Sequence, residues 1–198
     1  MNEKFIKKYM RVAKLIGEDS NPCYSRHIGV VIVHPKENRI LGTGYNGPPK
    51  GTPHCTEEEY LDQVVWPQLT ETEKRVAAPD TTGGDKERQK WFVKTYTGCD
   101  SCPRRLIGAK SGQRLEICSC EHAEKNAIFN AQGGIFGSHM FCYCGVPCWD
   151  CSKAIINSGI EKLYCIDWGE DYSPLSRWLL RKSNVKIEMR HAESFERC

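Results

Sequence analysis

The chain has 198 residues, 39 % of them hydrophobic and 27 % charged, and a net charge of +3. That length suits one domain carrying an insertion, and so small a charge makes no electrostatic case for a polynucleotide partner. Its longest apolar runs, such as residues 28–33, are too short to span a bilayer, so no membrane partner is expected.

In chain order, residues 2–18 place Phe5, Tyr9, Val12 and Ile16 at helical spacing. They predict an amphipathic helix rather than a cleavable leader, so the location expected is cytoplasmic. Residues 27–35 predict a buried strand, 36–39 a turn, and 40–47 a second strand ending in a glycine-rich loop, so 27–46 forms a hairpin. Residues 47–117 are polar and lack sustained periodicity. Short helices are expected there at 57–69 and 71–78, in an insertion of about 56–117 without a core of its own. Regular pattern resumes with a helix at 122–131, a strand at 138–144 and a helix at 148–158. A strand at 161–168, a helix at 174–183 and a strand at 185–191 complete it. Alternating helices and strands imply right-handed crossovers onto a largely parallel sheet with the hairpin at one side. One α/β domain over 1–198 is expected.

Twelve cysteines are many for this length, and eight of them form local pairs: Cys99/Cys102, Cys118/Cys120, Cys142/Cys144 and Cys148/Cys151. Such pairs favour metal chelation in a reducing compartment over a secreted disulfide framework. A catalytic zinc takes three protein ligands and keeps one position open. His122, Cys148 and Cys151 supply that count. Glu124 follows His122 by two residues, a rotation of roughly 200° on a helix, which makes it a poor ligand for the same ion. It can instead move the proton of a metal-bound water.

His-x-Glu followed by Pro-Cys-x-x-Cys is the signature of zinc-dependent base deaminases. The segments 23–33, 42–55 and 120–164 together resemble the cytidine deaminase-like superfamily and, within it, the deoxycytidylate (dCMP) deaminases. Gly44-Tyr45-Asn46-Gly47 points to that subgroup. The resemblance implies a three-layer α-β-α sandwich around a mixed five-stranded sheet, with a metal-pinned insertion. It implies a catalytic zinc on His122, Cys148 and Cys151, proton shuttling by Glu124, and hydrolysis of dCMP at C4 to dUMP and ammonia. Asn46 would contact the nucleotide sugar, and the Ala123 N–H the base carbonyl. Gly44, Tyr45, Asn46 and Gly47 would also take a dCTP or dTTP effector with Mg2+. A homo-oligomer is implied, with the hexamer as one arrangement. The family often carries leucine after Glu124, where this chain has Lys125.

Some dCMP deaminases hold a structural zinc, and matching their pattern assigns it to Cys55, Cys99, Cys102 and Cys120, with Cys118 and His54 as rivals. Cys23, Cys142, Cys144 and Cys165 are read as core thiols, and Cys198 as a free tail thiol. Ser25 and Arg26 match the family segment that approaches the substrate phosphate; Lys153 is a further cation near the cysteines. Trp168 and Tyr172 follow a strand's carboxyl end, where they could wall a ligand or simply pack.

Overall fold

The computed structural model describes residues 1–20, 22–79, 81–110, 112–168 and 173–195. The chain divides into two compact units. One comprises Met1–Pro22, His27–Asn46 and Glu121–Cys198; the other comprises Cys23–Arg26 and Gly47–Cys120. Tyr172 and Cys198 lie outside the described residues.

The first unit runs α1 (Glu3–Asp19), β1 (Gly29–His34), β2 (Arg39–Tyr45), α2 (Ala123–Phe129), β3 (His139–Cys142), α3 (Trp149–Asn157), β4 (Lys162–Asp167), α4 (Pro174–Lys182) and β5 (Lys186–His191). Its described strands form one sheet in the order β2-β1-β3-β4-β5. The β1 strand is antiparallel to β2 and β3, while β3, β4 and β5 run parallel. The sheet is therefore mixed and five-stranded, as expected.

Alternation sorts the strand side chains onto two covered faces. Val30, Ile32, Met140, Cys142, Leu163 and Cys165 pack with Ala123 and Ala127 of α2, Ile155 of α3 and Leu180 of α4. Val31, Val33, Phe141, Tyr164 and Ile166 pack with Ile6, Tyr9, Met10 and Ala13 of α1. Burial on both sides explains why β1 reads as an unbroken apolar run. The face of α1 is centred one position later than its spacing predicts. Ile6, Met10 and Ala13 are buried with Tyr9, while Phe5, Val12 and Ile16 lie at its margin. Asn2 caps the helix, its Oδ1 accepting from the Phe5 N–H at 3.1 Å.

The second unit corrects the expectation of a segment without a core. Trp66, Phe92, Leu61, Val65 and Ile117 are buried together with Tyr60, Leu69 and Ala77. A helix runs over residues 58–68, with a π-helical turn at Leu61–Val65. Glu71–Ala77 follows, opened by a capping box of Thr70 and Glu73. Asp85–Tyr96 is a helix the periodicity did not announce. Its sequence is charged almost all round, and it buries little beyond Phe92 and Val93. The Trp66 and Phe92 rings lie 5.3 Å apart. Lys74 and Arg88 tie Glu71 to Asp85 across 3.0–3.7 Å at the surface of this cluster.

Candidate active site

Within the first unit, the turns before α2 and α3 bring the signature residues together. His122 is the N-cap of α2 and Cys148 the N-cap of α3, and neither spends its side chain on capping. Their side chains turn toward one another. His122 Nδ1 lies 3.4 Å from Cys148 Sγ and 3.3 Å from Cys151 Sγ. Among the described residues, this is the one group of three such ligand atoms all within 4.8 Å of one another. Tetrahedral zinc with ordinary Zn–N and Zn–S bonds would separate N and S by about 3.5 Å. The donor set and its spacing both fit that ion.

Two features of β2 place α2. A side chain at Gly44 would put Cβ 2.2 Å from the Ala123 carbonyl oxygen and 2.3 Å from the Ala127 nitrogen. Gly44 is thus taken up by helix packing. The Asn126 and Asn130 amides donate to the Tyr45 and Thr43 carbonyls at 2.9 and 3.2 Å, strapping the helix to the strand. Sequence reasoning passed over both asparagines, although they share one face of α2 at i, i+4 spacing.

Glu124 sits at the first turn of α2 and is only 3 % exposed. Its Oε2 is buried without a hydrogen-bond partner. Burial pushes its pKa above the ordinary carboxylate range, opposed chiefly by the neighbouring His122. A hydrogen bond with Cys151 holds the Cys148 thiol down at about 4, despite burial and with help from His122. The same pairing pushes Cys151 up. His122 is raised to about 9, mainly by its bond to Cys148. Thiolate and imidazolium thus share a charge pair, a donor set that releases protons when a metal binds.

Asn46 is buried, and its Oδ1 accepts the Ala123 N–H at 2.9 Å. That N–H was expected to face a base carbonyl and is engaged here instead. Tyr45 is exposed. Ser25, Arg26 and Gly47 fall in the other unit. Ser25 Oγ accepts from Arg105 Nε at 3.2 Å. Lys153 pairs with Asp150 at 2.9 Å, and exposed Trp168 meets the Tyr143 ring edge-on.

The second unit holds the cysteines assigned to a structural zinc, and Cys23 with them. Cys120 hydrogen-bonds both Cys118 and Cys23 through the side chains. Cys55 feels the charges of Cys102, Cys118 and Cys23, and burial with those charges pushes it up to about 12. Cys99 instead points its thiol at the Ser101 carbonyl, 3.7 Å away. Cys23, read as a core thiol, thus meets Cys120 in this unit. His54 lies at the margin, bonded to Thr56 at 3.0 Å, with Nε2 4.0 Å from Cys55 Sγ.

Comparison with known proteins places this geometry. A deoxycytidylate deaminase of Enterobacteria phage T4 is 32 % identical over 181 residues, covering 90 % of this chain and 86 % of its own. One of Schizosaccharomyces pombe is 30 % identical over 181 residues, and the match spans 90 % of this chain but 42 % of that relative's length. The dCMP deaminase of cyanophage S-TIM5, solved with dCMP and dUMP, shares the fold. Its TM-score is 0.59 at 22 % identity, covering 96 % of this chain and 99 % of its own. The family model of the cytidine and deoxycytidylate deaminase zinc-binding region matches residues 3–167. With His122, Cys148 and Cys151 converging as a zinc site requires, the chain belongs to that zinc-binding deaminase family.

Proposed function

We propose that the chain deaminates dCMP to dUMP and ammonia in a zinc-dependent hydrolysis that feeds thymidylate synthesis. The observation that carries the chemistry is the buried Glu124 carboxylate, its Oε2 unpartnered, on the same helix start as one of three convergent metal ligands. The choice of dCMP rests on likeness to relatives bearing the name deoxycytidylate deaminase. Zinc held by three ligands supplies Lewis acidity toward water at its fourth position. Glu124 takes a proton from the attacking water at Oε2 and delivers it to N3 of the pyrimidine, then takes the proton of the new C4 hydroxyl and passes it to the leaving amine. One water is consumed, the C4–N bond breaks, a C4 carbonyl forms and ammonia leaves. Burial suits Glu124 to this by making its protonated form accessible. Asn46 would meet the sugar, and the Ala123 N–H the base carbonyl once the bond between these two residues is exchanged. Ser25 and Arg26 are the proposed phosphate contacts.

A second, structural zinc is part of this reading, with its ligands drawn from Cys23, Cys55, Cys102, Cys118 and Cys120. Thiol-rich closed sites are structural, and small side-chain rotations would be needed to complete one. An effector nucleotide, dCTP activating and dTTP inhibiting with Mg2+, would use Tyr45, Asn46 and Gly47. Exposed Phe129, Phe136 and Trp149 support a homo-oligomer, for which a hexamer is one arrangement. Among the described residues no helix is long and apolar enough to cross a membrane.

One observation favours a second reading, deamination within RNA. Arg177, Trp178, Arg181 and Lys182 share one side of α4, with Trp178 exposed, and cations interleaved with an exposed aromatic suit single strands. Ammonia release from dCMP, CMP, dCTP, deoxycytidine and a short RNA separates the readings. Fastest release from dCMP supports the first. Release from RNA alone supports the second, and release from none overturns both.

A further inference from the structure

The two ligand-bearing helix starts are joined by a chain of charges. Lys125, one residue after Glu124, reaches Glu121 Oε1 at 3.4 Å, one turn earlier on its own segment. The same ammonium pairs with Asp150, which stands between Cys148 and Cys151 in the first turn of α3. Glu121 Oε1 also accepts the His122 backbone N–H at 2.9 Å. On the far side, Lys153 Nζ holds the second Asp150 oxygen at 2.9 Å. An unbroken polar path thus runs from the backbone of His122 to the turn carrying both cysteines, without passing through the metal position.

An exposed ion pair alone contributes little, because ordering two long side chains offsets the attraction. Lys125 differs in three respects. Its side chain is 21 % exposed, it is shared between two carboxylates, and one partner is held by a second cation. Without it, Glu121 and Asp150 would face each other as like charges.

We infer that Lys125 is a positioning residue: by bridging Glu121 and Asp150 it fixes the separation of the α2 and α3 starts, and so the geometry of the metal ligands and of Glu124. The inference rests on the reading of His122, Cys148 and Cys151 as a metal centre, and takes no part of the substrate assignment.

The test uses the full chain with Co(II) in place of zinc, whose visible bands report ligand geometry, together with competition against a chelator. Lys125→Met is expected to shift the Co(II) bands and to retain metal about tenfold less well, at the lower end of what groups supporting metal ligands are worth. Lys125→Arg is expected to restore both. Asp150→Asn, at a side chain 57 % exposed, provides the same readout if Lys125→Met does not fold. Because the two residues act through one contact, the double variant is expected to lose no more than the worse single variant. Unshifted bands and unchanged retention in both single variants would overturn the inference, as would losses that add in the double. If the unmodified chain takes up no Co(II), the metal centre itself is wrong, an outcome distinct from a loaded protein whose variants do not differ.

Discussion

Ala123 donates its backbone N–H to Asn46 Oδ1 at 2.9 Å, joining the chain just past β2 to the first turn of α2. Both residues are buried, so the bond cannot be exchanged for one to water without opening the site. Asn46→Ala leaves the Ala123 donor unsatisfied. It is expected to cost about 1–3 kcal/mol of stability and to reduce turnover. Denaturant midpoints and steady-state rates measured side by side check this; an unchanged midpoint would show that the bond does not hold the site.

Gly44→Ala tests the seating of α2. A methyl group there meets backbone atoms of Ala123 and Ala127, and backbone cannot rotate away as a side chain can. The expected outcome is a loss of about 1–3 kcal/mol or more, with reduced zinc content because His122 moves with the helix. A variant as stable and as well loaded as the parent would mean that the helix shifts freely.

Much of the core was legible because its signals are local. The apolar run of β1 and the alternating segments after residue 120 each carry their own period. His122, Glu124, Cys148 and Cys151 sit in two compact motifs with fixed spacing. The second unit was harder to read. Trp66, Phe92 and Ile117 belong to separate short segments, so no common period links them. Cys99 is legible because it completes Cys-x-x-Cys with Cys102, whereas Cys23 stands alone in sequence and meets Cys120 only in the fold. The Glu121–Lys125 pair is visible as an i, i+4 charge spacing. Its extension to Asp150 joins two helices separated by a strand, and no local pattern announces it.

The proposed second zinc gives a metal count. The unmodified protein is expected to hold two zinc ions per chain, and Cys99→Ser to keep both. The Cys118→Ser, Cys120→Ser double variant is expected to hold one and to become protease-sensitive within the second unit, because metal binding there contributes folding free energy. Metal analysis returning one ion for the unmodified chain would remove the second site; loss of an ion in Cys99→Ser would restore the pattern-based assignment.

Burial of Glu124 predicts a pH-dependent stability in zinc-free protein. Its pKa is raised on folding above the ordinary value of 4.5. Over the window from 4.5 up to the raised value, the unfolded chain therefore gives up its proton first, and this group lowers stability as pH rises. Below 4.5 the penalty is absent. Glu124→Gln removes it, so the variant is expected to be more stable than the parent at pH 7, by about 1–3 kcal/mol for relief of a buried unpaired group. The difference should shrink toward pH 4. Thermal melts at several pH values check the sign, and a gap that widens in acid would contradict it.

The proposed role of Glu124 as proton carrier in dCMP hydrolysis has a direct test. The measurement is the rate of dUMP formation from dCMP by the parent and by Glu124→Gln, at equal zinc content confirmed by metal analysis. The parent is expected to turn over dCMP with one ammonia per dUMP. The variant is expected to be slower by about 10²–10⁴-fold, the usual worth of a positioned acid–base group. A fully loaded variant that forms dUMP as fast as the parent, or a loaded parent that forms none, would contradict it.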